Sequence, residues 1–375
     1  MSTTLIVGTE KGAFICRSKD RAKWTVEGPL FKGWKVTASA RTPSGRYLVA
    51  TASQIYGAAL HASKDLKEWK QIEKGPAYPE ATDKSQPTPG VAVGAGFEPK
   101  MNQLWTLVAS GKRLYAGADT AGLFTSDDDG QSWQPVPSLN DHPTRPNWFP
   151  GAGGLCLHSI LVDKSRIWIG ISAVGVWRSD DGGKTWTPKN KGVRHVIEDP
   201  NFKEIGFCVH GLAADPKDPG TIYRQDHAGF YVTRNGGDTW EAAEQGLPPG
   251  SVGMPGNKLR ASFGFPVAVD PHTRNIFIFP LESDEYRMPL DGMFRVYRSR
   301  DGGRKWEGLG EGLPTVPTYS GVLRGAMAVD GLKPCGVYIG STAGQVFSSA
   351  DGGDTWHPLP CTLPRVLHVA AYTDN

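Results

Sequence analysis

Two short stretches of the chain combine a thiol and an imidazole at a spacing that metal sites use. They are Cys-Leu-His at residues 156–158 and Cys-Val-His at residues 208–210. In an extended strand, residues i and i+2 project to the same side, so each pair can present sulfur and nitrogen together. Structural histidines and buried core cysteines fit the same pattern, and both interpretations stay open. The predicted transition-metal ligands are Cys156, His158, Cys208 and His210.

The histidines also occupy equivalent positions in repeated strand segments. In strands that end at Asp163, Asp215 and Asp270, the residue five places earlier is histidine or phenylalanine. The segments that lead into these strands are long, and long loops on one side of a rigid scaffold often hold binding sites. This pattern predicts a polar, histidine-lined pocket for a ligand. The predicted ligand-binding residues are Trp34, Trp105, His158, His210, His227, Phe265, Arg324 and His368.

Carboxylates in the loops after the second strand of several repeats could perform acid–base chemistry. A pair of carboxyl groups that flank a glycosidic bond can act as general acid and as base or nucleophile. Solvated loop charges give the same pattern, and the sequence distinguishes none of these residues from the others. The candidate catalytic residues are Asp119, Asp226, Glu282, Asp284 and Tyr319, the last of which precedes Ser320.

A repeated octet organises the elements that position these residues. Its clearest copy is SDDGGKTW at residues 179–186, and four further copies match it closely: residues 126–133, 233–240, 299–306 and 349–356. Two degenerate copies end at Trp24 and Trp69, so seven of the twelve tryptophans occupy one repeat position, separated by 45, 64, 53, 54, 66 and 50 residues. A period of this size is typical of a repeat architecture.

The octet resembles the Asp-box of the bacterial neuraminidase repeat, and the resemblance extends over nearly the whole chain. It implies a β-propeller in which each box is a structural hairpin remote from the ligand site. Proteins of this kind include sialidases, xyloglucan-degrading glycosidases, lectins, sorting receptors and photosystem II assembly factors. The sialidase pattern is incomplete here, since the segment expected near the amino terminus is Ala-Phe-Ile-Cys-Arg at residues 13–17.

Each repeat contains four strand-like runs, which predicts an all-β, seven-bladed β-propeller with four antiparallel strands per blade. The chain begins on a second strand and ends on a first strand, residues 366–372. We therefore predict one domain over residues 1–375, closed when the carboxyl-terminal strand joins the amino-terminal blade. The repeats end near Trp24, Trp69, Trp133, Trp186, Trp240, Trp306 and Trp356.

Composition predicts the remaining general properties. The net charge of +3 is too small to indicate a nucleic-acid partner. The amino terminus lacks the features of a signal peptide, and no apolar run is long enough for a membrane helix, so we expect a cytoplasmic protein without a membrane partner. Five cysteines, an odd number, do not indicate a disulfide framework. Apart from the candidate metal, we expect no cofactor.

Three functions follow from these observations. The first is binding of a small molecule, a carbohydrate or a protein partner in the central pocket, with glycoside hydrolase activity as a further option. The second is a sialidase-like or other glycosidase that uses the loop carboxylates. The third is a non-catalytic assembly scaffold, which would present a flat apolar patch in place of a concave polar basin.

Overall fold

The computed structural model describes residues 2–79, 101–195, 205–252 and 259–374. The chain divides into two compact units: unit 1 comprises residues 1–36, 191–196 and 210–375, and unit 2 comprises residues 37–190 and 197–209. The single domain over residues 1–375 stays a prediction. Parts of the long loops expected from the sequence, namely residues 80–100, 196–204 and 253–258, lie outside the described residues.

Unit 1 begins with three antiparallel strands, of which the first two are mostly buried and the third is mostly exposed. These are β1 (Ser2–Thr9), β2 (Gly12–Ser18) and β3 (Thr25–Leu30).

Unit 2 consists of three groups of four strands. The first group is β4 (Lys35–Arg41), β5 (Tyr47–Ser53), β6 (Gly57–Ser63) and β7 (Lys70–Gln71). The second is β8 (Gln103–Ser110), β9 (Arg113–Asp119), β10 (Gly122–Ser126) and β11 (Gln134–Pro135). The third is β12 (Cys156–Asp163), β13 (Arg166–Ser172), β14 (Gly175–Ser179) and β15 (Thr187–Pro188). A short helix, α1 (Pro137–Asn140), and a 3-10 turn, Arg145–Asn147, separate the last two groups.

Unit 1 continues with three more groups of four strands, a two-stranded hairpin and the final strand. The first group is β16 (Val209–Asp215), β17 (Asp218–Asp226), β18 (Gly229–Thr233) and β19 (Glu241–Ala242), followed by the hairpin β20 (Gly250–Val252) and β21 (Leu259–Ala261). The second is β22 (Phe263–Val269), β23 (Ile276–Leu281), β24 (Val296–Ser299) and β25 (Glu307–Leu309), with a 3-10 turn at Leu290–Gly292. The third is β26 (Val322–Val329), β27 (Val337–Ser341), β28 (Gln345–Ser349) and β29 (His357–Thr362), before β30 (Val366–Asp374).

The fold is therefore all-β, as the sequence predicts. Within the described ranges, helical structure is limited to the four residues of α1 and the two 3-10 turns. No helix among those residues has the length and apolar character needed to cross a membrane.

The last strand pairs with the first, which confirms the predicted partner of the carboxyl-terminal strand. β30 runs antiparallel to β1, from Ser2 opposite Asp374 to Gly8 opposite His368. The other edge of β1 pairs with β2, so both edges of β1 are hydrogen-bonded. This pairing removes an exposed strand edge that would otherwise be open to another chain.

The repeated octets fold as tight polar turns, as predicted. In the clearest copy, Oδ1 of Asp181 accepts the backbone N–H groups of Lys184 and Thr185, each at 2.9 Å. The hydroxyl of Ser179 accepts the N–H of Gly183 at 2.8 Å, and Gly183 has a φ of +91°. Glycine adopts this left-handed conformation without the steric penalty of a Cβ. The carboxylate of the octet is thus engaged in holding its own turn.

Three of the tryptophans that close an octet donate a hydrogen bond to a residue outside their own strand group and within the same unit. Nε1 of Trp24 donates to Oγ of Ser348 at 3.2 Å, and Nε1 of Trp306 donates to the carbonyl of Ala243 at 2.9 Å. In unit 2, Nε1 of Trp186 donates to Oγ of Ser138 at 3.2 Å. At these three octets the tryptophan therefore supplies both apolar area and a directed hydrogen bond to another segment.

The carboxyl groups of the octets lead us to expect that the stability of the fold decreases in acid. Partial burial works against the charged form of Asp128, but hydrogen bonds from Ser132 and Ser126 outweigh it and lower its pKa from 3.8 to about 2. Backbone hydrogen bonds from Lys23 and Ala22 likewise lower the pKa of Asp20 to about 2. A carboxyl group whose folded-state pKa is depressed stabilises the fold above its unfolded pKa, and this contribution is lost as pH falls through the folded value.

We therefore expect the thermal unfolding midpoint to fall steeply between about pH 4 and about pH 2. The variant Asp128→Asn should show a shallower decline over that window, because one of the titrating carboxyl groups is gone. Scanning calorimetry at several pH values measures both slopes. Equal slopes for the two proteins would contradict this role for Asp128.

Candidate functional site

Three side chains that follow or begin strands of unit 1 form a cluster through one hydrogen bond and one ring contact, which we call the histidine cluster: His210, His227 and Asp284. His210 is the second residue of β16, His227 follows β17, and Asp284 lies three residues beyond β23. Nε2 of His227 lies 2.9 Å from Oδ2 of Asp284. The two imidazole rings are 5.5 Å apart at an interplanar angle of 64°.

Aromatic side chains of β22 enclose the buried member of the cluster. The ring of His210 is 3 % exposed and meets Phe263 edge-on at 5.2 Å and Phe265 at 4.8 Å. Nδ1 of His210 lies 2.7 Å from the carbonyl oxygen of Gly264, between the two phenylalanines in sequence. Since a carbonyl can only accept, Nδ1 is the protonated nitrogen of this imidazole.

Two arginines pack against the same aromatic group. The guanidinium carbon of Arg324 lies 4.7 Å from the ring centre of Phe265, and that of Arg287 lies 5.6 Å from it. Nε of Arg287 also donates to the carbonyl oxygen of Asp284 at 3.1 Å. Guanidinium groups on an aromatic face combine cation–π attraction with planar hydrogen-bond donors. The region therefore presents positive charge, imidazoles and one carboxylate together.

Five residues singled out from the sequence meet here. His210, His227, Phe265 and Arg324 come from the predicted ligand-binding set, and Asp284 comes from the candidate carboxylates. Their strands begin or end near one another because the four-strand groups of unit 1 repeat the same hairpin order.

His368 lies beside this region in the backbone. It pairs in parallel with Gly325, the residue after Arg324. Burial lowers the pKa of His368 to about 4, so its imidazole is neutral at physiological pH.

In unit 2, the structure does not support Cys156 and His158 as metal ligands. Nε2 of His158 lies 2.6 Å from the carbonyl of Val209, and Nδ1 lies 3.1 Å from Oγ of Ser159. The thiol of Cys156 donates to the carbonyl of Gly153 at 3.3 Å. Both ring nitrogens of His158 thus have hydrogen-bond partners, which corresponds to the structural alternative left open by the sequence.

Asp226 has a structural environment, which corrects its expected position in an accessible loop. It ends β17, and its carboxylate and the guanidinium of Arg224 are both fully buried. Oδ2 of Asp226 lies 2.8 Å from Nε of Arg224, and Oδ1 accepts the N–H of Ala228 at 3.1 Å. A buried carboxylate that pairs with a buried guanidinium and accepts a backbone N–H is engaged in contacts that hold the fold together.

The remaining predicted residues are more accessible. Glu282 is exposed, and Tyr319 is 64 % exposed with a φ of +53°. Trp34 stands just before β4, and Trp105 lies at a β-bulge in β8; both are half-buried. These four residues are not members of the histidine cluster as defined above.

Asp119 is the candidate carboxylate with the most altered acidity. It ends β9 and is half-buried in unit 2. Burial raises the pKa of Asp119 to about 6, against a hydrogen bond from Asn102 that lowers it. A carboxylic acid that keeps its proton near neutral pH can act as a general acid.

Several residues around the histidine cluster in unit 1 and in unit 2 were not predicted as site residues. Phe263 and Arg287 belong to the surroundings of the histidine cluster. In unit 2, Arg145 is 2 % exposed and stacks 4.8 Å from the ring of Trp148, and the hydroxyl of Tyr78 donates to the carbonyl of Thr120. Phe263 had a usable signal, because it stands two residues before Phe265 and shares its face of β22.

Comparison with known proteins agrees with the repeat pattern. Residues 177–188 match the model of the BNR/Asp-box repeat family. The chain carries an Asp-box repeat. This match covers the octet whose turn geometry is described above.

Among curated proteins, the oligoxyloglucan reducing-end-specific xyloglucanase of Emericella nidulans is 26 % identical over 130 residues, which is 34 % of this chain and 15 % of the xyloglucanase. The crystal structure of an ancestral GH74 enzyme superposes with a TM-score of 0.51 at 14 % identity, covering 90 % of this chain and 38 % of that one. The chain therefore spans well under half the length of these relatives.

A second solved structure is matched over most of its own length. YCF48 from Cyanidioschyzon merolae superposes with a TM-score of 0.50 at 10 % identity, covering 90 % of this chain and 88 % of that one. At such identities the two structural similarities concern the fold alone. The sequence match to the xyloglucanase is a similarity to one glycoside hydrolase over about a third of this chain.

Proposed function

We propose that the chain is a seven-bladed β-propeller, with β30 completing the blade of β1, that binds a carbohydrate at the histidine cluster. The observation that carries the proposal is the convergence of His210, His227, Asp284, Phe265 and Arg324 in unit 1. Binding pockets for small ligands combine apolar walls with a few polar groups, and here the half-buried His227, Asp284 and Arg324 supply donors and a carboxylate acceptor beside buried aromatic rings. The partial match to a xyloglucanase supports a xyloglucan oligosaccharide as the first ligand to test.

Arg324 is the residue to change first, because its guanidinium packs on the ring of Phe265 while its side chain is only half-buried. We expect Arg324→Ala to weaken oligosaccharide binding at least about tenfold, the loss of a charge-assisted hydrogen bond being worth about 1.5–3 kcal/mol. Isothermal titration calorimetry with xyloglucan oligosaccharides and a sialoside measures the effect.

The matched control is Arg304→Ala, which removes an exposed arginine from an Asp-box turn. It should bind like the parent protein. Equal affinities for Arg324→Ala and Arg304→Ala, or heat changes absent with every oligosaccharide, would reject the binding site.

A second candidate function is glycoside hydrolysis with Asp119 as the general acid. The raised pKa of Asp119 favours this role, because a group with a pKa of about 6 is still substantially protonated near that pH. The partner carboxylate or nucleophile is not assigned, and Tyr319 is the candidate for a sialidase-like route.

If Asp119 is the acid, turnover of unactivated glycosides should decline as pH rises above about 6, and Asp119→Asn should abolish that limb of the profile. A panel of aryl glycosides that includes a sialoside tests the activity, with Tyr319→Phe as the variant for the sialoside. A panel without turnover would leave the binding function as the remaining proposal.

A further inference from the structure

Both imidazoles of the histidine cluster are held by acceptors on one side of the ring. Nδ1–H of His210 donates to the carbonyl oxygen of Gly264, and Nε2–H of His227 donates to the carboxylate of Asp284. Metal-ligating histidines typically donate their second ring N–H to a backbone carbonyl or a carboxylate, which fixes the tautomer and orients the ring. The two kinds of acceptor found in such sites are both present here.

The tautomers follow from these bonds. In the neutral ring, a protonated Nδ1 leaves the lone pair of His210 on Nε2, and a protonated Nε2 leaves that of His227 on Nδ1. A ring nitrogen of His210 and one of His227 lie within 4.8 Å of each other. Two nitrogens that share one ion at zinc–nitrogen distances of about 2.0–2.1 Å lie at most about 4.2 Å apart, so the rings would have to adjust when the ion binds.

The sequence places a third donor next to this pair. Cys208 stands two residues before His210, and alternate residues of an extended segment project to the same side. A thiolate with two imidazoles is a donor set that selects zinc or a similar transition metal over magnesium or calcium. The negative charges of a thiolate and of Asp284 would together balance a divalent cation.

We propose that His210 and His227, with Cys208 as the third donor, bind one zinc ion, and that Asp284 and the Gly264 carbonyl orient the two imidazoles. The site shares residues with the proposed carbohydrate site but does not require that a sugar binds there. Metal content is measured without any sugar, so failure of one proposal is distinguishable from failure of the other.

The experiment loads chelator-treated protein with Zn²⁺ and measures the bound metal by elemental analysis after gel filtration. The parent protein should retain about one zinc per chain, held by three protein ligands with the fourth position open to water. His227→Ala and Cys208→Ser should retain little, whereas His357→Ala and Cys361→Ser, which remove an imidazole and a thiol elsewhere in unit 1, should retain as much as the parent. Circular dichroism verifies that each variant is folded.

Two further measurements separate ligation from a structural effect. Co²⁺ in place of Zn²⁺ should give a thiolate-to-metal charge-transfer absorption in the parent that Cys208→Ser lacks. Asp284→Asn, which keeps the side-chain shape, should weaken zinc affinity about 10–100-fold, as changes to such orienting groups do. The proposal fails if the folded parent retains no more zinc than His227→Ala, or if Co²⁺ gives no absorption that depends on Cys208.

Discussion

Replacing Asp226 with alanine is expected to lower the free energy of unfolding by about 3–5 kcal/mol, the usual cost of removing one partner from a buried ion pair. The side chains of Asp226 and Arg224 are both fully buried, and Nε of Arg224 lies 2.8 Å from Oδ2 of Asp226. Without the carboxylate, the guanidinium would remain buried beside Trp240, whose ring lies 5.5 Å away, and would have lost its ion pair with Asp226. Urea unfolding followed by tryptophan fluorescence measures the loss.

Asp180→Ala is the matched control for this prediction. Asp180 pairs with Arg166 at 2.7 Å, but half of its side chain is exposed. Solvent screening limits an exposed pair to about 0–1 kcal/mol, so this variant should unfold nearly like the parent. If Asp226→Ala unfolded at the same urea concentration as Asp180→Ala but lost ligand binding or turnover, Asp226 would again be a candidate for a direct functional role.

The contrast between Asp226 and Asp119 shows where sequence reasoning stopped. Both residues end the second strand of a repeat, and the sequence alone treated them as equivalent candidates. Two positions earlier on the same strand face stands Arg224 in one repeat and Gly117 in the other. Asp226 therefore has a buried cation beside it, whereas burial raises the pKa of Asp119. The residue two positions before each aspartate could have distinguished the two candidates in the sequence, since alternate strand residues share a face.

The strands and turns were predictable because they depend on local chemistry. Each octet contains the residues that its turn requires. Glycine adopts the positive φ, and serine and aspartate oxygens accept the N–H groups of the turn. The pairing of β30 with β1 was predictable from the phase of the repeat, because the chain begins and ends on complementary strands. These features require no knowledge of how distant segments pack.

The histidine cluster was predictable only in part. Equivalence among repeats identified His210 and Phe265, and loop position suggested His227, Asp284 and Arg324. The hydrogen bond between His227 and Asp284, however, joins residues 57 positions apart. Equivalent residues in different repeats share some contacts and differ in others: His158 and His210 both bond to a carbonyl oxygen, but His158 also lies beside a serine hydroxyl and His210 beside an imidazole. The position of a residue within its repeat predicts where it lies on its strand. The residues of the neighbouring repeat determine what its side chain contacts.

Gly312→Ala is expected to destabilise the protein by about 3 kcal/mol or more, because the substitution combines backbone strain with a direct clash. Gly312 has a φ of +82°, which costs an alanine about 1–2 kcal/mol. A Cβ at this position would also lie 1.9 Å from the carbonyl oxygen of Trp356 and 2.9 Å from its carbonyl carbon. Both atoms belong to backbone, so relief requires the chain at the last octet to move away from the segment before β26.

Gly352→Ala isolates the strain from the clash. Gly352 has a nearly equal φ of +76°, but a Cβ there would have no atom within 4 Å. It should therefore cost only the conformational term, about 1–2 kcal/mol. Thermal unfolding midpoints of the two variants measure the difference, and the shift for Gly312→Ala should be at least about twice that for Gly352→Ala. Equal shifts would mean that the close approach of Gly312 to Trp356 relaxes without cost, and that the last octet does not pack tightly against this segment of unit 1.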